Sequence, residues 1–368
     1  MDDQNKNLLL ATALSFVVIL VWFVLFPPPE ATPPIEPATL SQTSAATPTA
    51  ETSSAAVTSP QASEPSAPDA ARVPIATDRL TGSISLLGGR IDDLSFNDYR
   101  ETQDEGAAIV KMLSPVGGDE AYYALFGWAA GSGLDASLVP GPNTIWQAQP
   151  DAALSLSTPV TLTWDNGAGL TFNRVIEIDQ DFMFLVTQSV ANTGATAATL
   201  APYGILARHG EPSDRKSFFI LHEGVVAMAD GELTETDWSD MPDFAFSERE
   251  GARAEVTQVT QNGWIGFTEH FWMTSLIPAP GSAFKSVAKY DERRDIYQTE
   301  TVLPTQTVAP GTTVSATTQL FAGAKEWEAI RAYQTAGVDR FIDSIDWGWF
   351  FFLTKPIFWL LHELNKLI

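Results

Sequence analysis

The chain has 368 residues, with 21 Lys and Arg against 45 Asp and Glu, a formal charge of −24 and no cysteine. A polyanion of this kind repels phosphate, so nucleic acid is a poor partner. The lack of thiols excludes disulfide frameworks, thiolate zinc sites and a cysteine nucleophile. At roughly 150 residues per domain the length allows two or three units, or one large β-domain with appendages.

Residues 1–7 are a short polar N-terminus, and residues 8–26 run from Leu8 to Phe26 without a charge. As a helix rising about 1.5 Å per residue, such a run spans roughly 28 Å of hydrocarbon. With Leu8, Phe16, Trp22 and Phe26 along it, the segment reads as an uncleaved transmembrane signal anchor. A soluble signal peptide is the competing reading, but it would carry a shorter apolar core and a small-x-small cleavage site, whereas this run ends in Phe26 and Pro27-Pro28-Pro29. Lys6 is the only basic residue near either flank, so the positive-inside tendency places the N-terminus in the cytoplasm. Residues 27–74 are rich in Pro, Ala, Ser and Thr and lack aromatics. They cannot bury enough apolar surface to offset chain entropy and are expected to form a disordered tether.

From residue 75 to 338 the pattern changes to short alternating runs punctuated by turns. Ser83–Leu87 and Arg90–Phe96 around Gly88-Gly89 predict a hairpin, with the glycines supplying positive φ rather than a phosphate cradle. Val160–Trp164 and Leu170–Ile178 flank the turn Asp165–Gly169, and Phe182–Val190 precedes another turn. Val256–Thr260, Gly263–Thr268, Phe284–Tyr290, Ile296–Val302 and Thr312–Phe321 are further strand candidates. Together they predict a mainly β, antiparallel sandwich. One helix is expected over Ala324–Tyr333, with Trp327, Ile330 and Tyr333 forming an apolar stripe. Residues 1–72 carry −5 and residues 339–368 carry −1, which leaves −18 for residues 73–338. Anionic headgroups would repel such a domain, so it should stand off the membrane.

Residues 339–368 are aromatic-rich. Pro356 reads as a helix start that sets Ile357, Leu360, Leu361 and Leu364 on one face, opposite His362, Glu363, Asn365 and Lys366. With Trp347, Trp349, Phe358 and Trp359 also present, the segment reads as an amphipathic element at the membrane–water interface. A core helix of the β-domain is the alternative. Among the four histidines, His209 lies two residues from Glu211, and Glu269 precedes His270. On a strand His209 and Glu211 would share a face, so His209, Glu211 and Glu269 are the candidates for acid–base work in a cleft, against the plain alternative of chance proximity in an acid-rich chain. No zinc, nucleophile-elbow or phosphate-loop motif is present, and neither a metal nor a cofactor is implied.

The chain resembles the YidC/Oxa/Alb family of membrane insertases in its long Gram-negative form. The resemblance is carried by Met1–Leu10, Gly82–Leu94, Tyr122–Trp128, Gly263–Phe267 with Phe271-Trp272, Phe321–Lys325 and Ile345–Phe358, in that order along the whole chain. It implies an inner-membrane protein with a periplasmic β-supersandwich similar to sugar mutarotases, an N-terminal transmembrane helix and a C-terminal amphipathic helix. The implied partners are inner-membrane lipid, nascent membrane proteins, and the Sec translocon with its accessory subunits; the implied role is insertion and folding of membrane proteins, not catalysis. The family's insertase core is five further transmembrane helices around a hydrophilic groove with an arginine. Ile368 is expected to fall just before the second of the family's transmembrane helices, leaving the groove outside this chain and making it a fragment or an accessory remnant unable to insert proteins alone. An anchored carbohydrate-binding or sugar-modifying β-sandwich is the competing function.

Overall fold

Strand β8 (Leu170–Ile178) buries every second residue, as its alternating sequence requires, and β7 (Val160–Asp165) pairs with it across the expected turn. The structure is a computed structural model that describes residues 70–104, 106–118, 120–213, 221–348 and 351–365. The predicted anchor at 8–26, with Leu8, Phe16, Trp22 and Phe26, lies outside the described residues, as does the predicted tether up to residue 69. Strand β1 (Arg72–Ala76) already occupies the last residues assigned to that tether, because Val73 and Ile75 alternate into the core. Among the described residues no helix is long and apolar enough to cross a membrane.

Two antiparallel sheets face each other. The first runs β1, β2 (Leu80–Ser85), β3 (Arg90–Arg100), β5 (Tyr122–Ala130), β10 (Ala198–His209) and β18 (Ile296–Val302). It continues through β17 (Phe284–Asp291) and β14 (Ala252–Val259) to β13 (Phe246–Ser247), with β4 (Ile109–Leu113) on β3 and β19 (Gln306–Val308) on β10. The second runs β12 (Glu232–Asp237), β11 (Gly224–Ala229), β15 (Gly263–Thr268), β16 (Trp272–Pro278) and β20 (Thr313–Ala324), then β9 (Met183–Asn192), β8, β7 and β6 (Gln147–Ala148). The fold is therefore a mainly β sandwich, as the sequence predicts.

The β2–β3 hairpin forms as expected, with Ser85 opposite Arg90 and with Gly88 and Gly89 at φ of 72° and 62°. Gly89 also has to be glycine for space, since a Cβ there would lie 2.4 Å from Arg174 Nη1. The main core between the sheets is aromatic and aliphatic, with Trp128, Phe96, Phe126, Phe172 and Phe267 fully buried. The other face of the first sheet buries a smaller cluster around Tyr123, Tyr203, Ile205 and Ile296. Buried ion pairs Lys285–Glu250 and Lys289–Glu300 flank that cluster.

Helix α1 (Trp327–Thr335) lays Ile330 and Tyr333 on the core as its stripe predicts. The Tyr333 hydroxyl donates to Asp179 and accepts from the Phe182 N–H. Residues 339–348 do not form a segment apart, since Phe341 is fully buried against Trp264 and Phe321 in the same core. Helix α2 spans Phe351–Asn365. It does not start at Pro356 as the sequence suggests; the proline lies inside it. The first four N–H groups of a helix lack partners, so a proline at the sixth position forfeits a single bond, to the carbonyl of residue 352, and its fixed φ still suits a helix.

Candidate functional site

Strand β10 ends on Arg208 and His209, and successive residues of a strand point to opposite faces. Arg208 sits across from Tyr297 on the inter-sheet side, over the Tyr122 ring, and donates to Glu269 at 2.9 Å. His209 sits across from Ile296 on the other face, beside Tyr123, with its buried Nε2 unpartnered. Burial, and then the Arg294 guanidinium, hold the His209 imidazole below its usual pKa. Glu211 lies beyond the strand, because Gly210 turns the chain at φ 72°, and it accepts from the Tyr297 hydroxyl at 3.2 Å. The shared face assumed for His209 and Glu211 therefore does not exist, and His209 and Glu269 lie on opposite sides of the sheet. A cavity of about 400 Å³ lies elsewhere, walled by Ala279, Ser282, Leu303, Pro304 and Thr317 among others, with no titratable side chain in its lining.

A denser set of charges gathers where β20, β15 and the residues before β11 meet the C-terminal segment. Lys325 at the end of β20 donates to Thr268 Oγ1 at 3.0 Å. Burial pushes its ammonium down to about 8, against the opposing pull of Asp346, Glu223, Glu269 and Glu235. Burial also raises the Glu235 carboxyl, His222 pulling the other way. These residues stand far apart in the sequence, at 222–223, 235–237, 269, 325 and 346, and no spacing rule links them.

The C-terminal segment leaves the domain at this cluster. Asp346 accepts from the backbone N–H of His222 at 2.9 Å and of Gly348 at 2.7 Å. The Trp347 indole N–H donates to Ile342 O, and its ring packs edge-on against Trp327 and Phe358. Lys355 reaches back to Asp343, and Thr354 to Trp347 O, so the first turns of α2 are fastened to the domain. Among the described side chains of α2 an aliphatic stripe is exposed: Leu353, Ile357, Leu360, Leu361 and Leu364 recur at helical spacing, and Leu361 is 59% exposed. Pro356 is exposed. Phe358, also exposed, leans on Trp327 and Trp347. Trp349 and the side chain of Trp359 lie outside the described residues.

Residues 72–360 match the sequence family described as the YidC periplasmic domain. The chain belongs to the YidC family. Relatives named membrane protein insertase YidC are 66% identical in Roseobacter denitrificans and 61% in Ruegeria pomeroyi. Each alignment covers 100% of this chain and 62% of the relative, so the chain spans about three fifths of the length of these YidC proteins. Among solved structures, a galactose mutarotase related enzyme from Lactobacillus acidophilus aligns over 68% of this chain and 97% of its own, with 9% identity and a TM-score of 0.44. A galactose mutarotase-like protein from Lactobacillus casei aligns over 68% and 100%, with 10% identity and a TM-score of 0.40. Likenesses that distant carry no sugar chemistry to the YidC domain.

Proposed function

We propose that this chain is the membrane-attached periplasmic module of an inner-membrane protein insertase. Its N-terminal run anchors it with residues 1–7 in the cytoplasm, residues 75–338 lie in the periplasm, and α2 lies in the outer interface of the inner membrane. The exposed stripe of α2, on a domain of this family, is the observation that carries the reading. Water does not tolerate five clustered aliphatic side chains without cost, and a lipid interface covers them. The insertase task is to lower the several kcal/mol that each unsatisfied polar group costs in hydrocarbon, which requires a wet intramembrane cavity enclosed by several helices. On this reading the β-domain contributes position and partner contacts, the Sec translocon and its accessory subunits among them, while nascent membrane proteins are handled by the part of the relatives beyond this alignment. The separation of His209 from Glu269 leaves the sugar-modifying alternative without a geometric basis.

A chimera tests it. When this chain replaces the aligned region of the Roseobacter denitrificans relative, insertase-depleted cells should regain growth and membrane-protein insertion. The same chimera with Leu353, Ile357, Leu360, Leu361 and Leu364 changed to Gln should insert less well. Failure of the unmodified chimera, expressed at the normal level, would overturn the assignment.

A further inference from the structure

The His222 imidazole is held between two acceptors. Nδ1 lies 2.9 Å from Asp237 Oδ1 and Nε2 lies 2.8 Å from the Val225 carbonyl oxygen, and the side chain is 9% exposed. A neutral ring has one N–H and one lone pair, so it can satisfy either oxygen but not both. Both contacts are hydrogen bonds only when the ring carries two protons. The same residue's backbone N–H donates to Asp346, which leads through Gly348 into α2. We propose that His222 is a protonation-dependent latch that holds the C-terminal segment, and with it α2, in register on the β-domain.

The groups around the latch set its direction. Asp237 and Glu235 come from β12, Glu223 from the latch's own segment, Asp346 from the C-terminal segment and Lys325 from the end of β20. Carboxylates outnumber the one ammonium around the ring. Protonation closes the latch with two hydrogen bonds, one of them to a carboxylate. Loss of the proton sets a lone pair against an oxygen, loosens residues 222–225 and weakens the anchorage of Asp346. The domain would then be coupled tightly to α2 in acid and more loosely as pH rises. This rests on the packing of residues 222–348 alone and would stand even if the insertase assignment failed.

Hydrogen exchange and histidine NMR on the full chain in lipid nanodiscs test the latch between about pH 5 and about pH 7. That window stays below the range, about 8, in which Lys325 gives up its proton. After correction for intrinsic rates, the amides of residues 222–225 and of Gly348 should exchange about tenfold faster at the upper end, the scale expected for losing one charge-assisted bond. His222→Gln should abolish that dependence and exchange at the fast rate throughout. The chain has four histidines, so the ring signals missing in the variant identify His222 in the wild type. Its two nitrogens should both be protonated at the acid end, with one losing its proton as the exchange accelerates. A pH dependence that survives His222→Gln, or a wild-type ring that keeps one bare nitrogen across the window, would overturn the proposal.

Discussion

Asp230 sits at φ 49° in the β11–β12 turn and receives the backbone N–H groups of Thr260, Gln261 and Asn262 together with the Thr260 hydroxyl. Those backbone donors hold its carboxyl at about 2. A carboxylate whose pKa is lower in the folded than in the unfolded chain stabilises the fold above the unfolded value and loses that contribution as pH falls through the folded one. The stability gap between wild type and Asp230→Ala, read from urea unfolding, should therefore be constant above about pH 5 and shrink towards about pH 2. A gap that stays constant down to the acid limit would show that the carboxylate's charge is irrelevant to the turn. Nothing in the sequence around Asp230 advertises this role, since its donors come from the β14–β15 turn thirty residues on. His209 and Glu211 failed as a pair for a related reason: a spacing of two implies a common face only while the backbone stays extended, and Gly210 ends the strand between them.

At the level of elements, several strands bounded by turns were legible, and some nearly continuous apolar runs were not. β8 and β18 match the predicted runs at both ends, because turn residues bound them and, in β8, every second side chain is polar or half-exposed. β5, β10 and β16 carry almost continuous apolar or small residues and are buried on both faces, so no period-two signal marks them as strands. A helix in the C-terminal segment was legible, but the start of α2 and its fastening by Trp347, Phe358 and Lys355 were not. The chain has no cysteine, so a single Leu361→Cys variant of the full chain takes a nitroxide label cleanly. In reconstituted vesicles that label should be reached by oxygen and shielded from a water-soluble relaxant, whereas a label at Thr335, on α1, should show the reverse. Equal exposure of both labels to water would place α2 off the membrane.

Across the whole molecule, the two sheets are joined by a buried cation. Arg174 on β8 is 1% exposed, stacks 4.5 Å from the Trp146 ring, and donates to the carbonyls of Gly89 at 2.7 Å and of Phe126 on the opposite sheet. Burial, with no carboxylate partner among the described residues, pushes its pKa down to about 10. Arg174→Ala should cost about 3–5 kcal/mol in urea unfolding, by opening a cavity and stranding the Gly89 and Phe126 carbonyls of the first sheet, and Arg174→Lys should recover only part of it. A loss below about 1 kcal/mol would mean that the sheets do not depend on this bridge. Composition and hydropathy alone were enough to read an acidic antiparallel β-domain and one short packed helix, because burial on one face writes a period into the chain. Where His222, Asp346 and Lys325 would meet, and which strands Arg174 would bridge, was decided only by folding. Each lies in a different stretch of sequence, and the sheet order that brings the C-terminal segment onto the start of β11 leaves no local mark in the residues it joins.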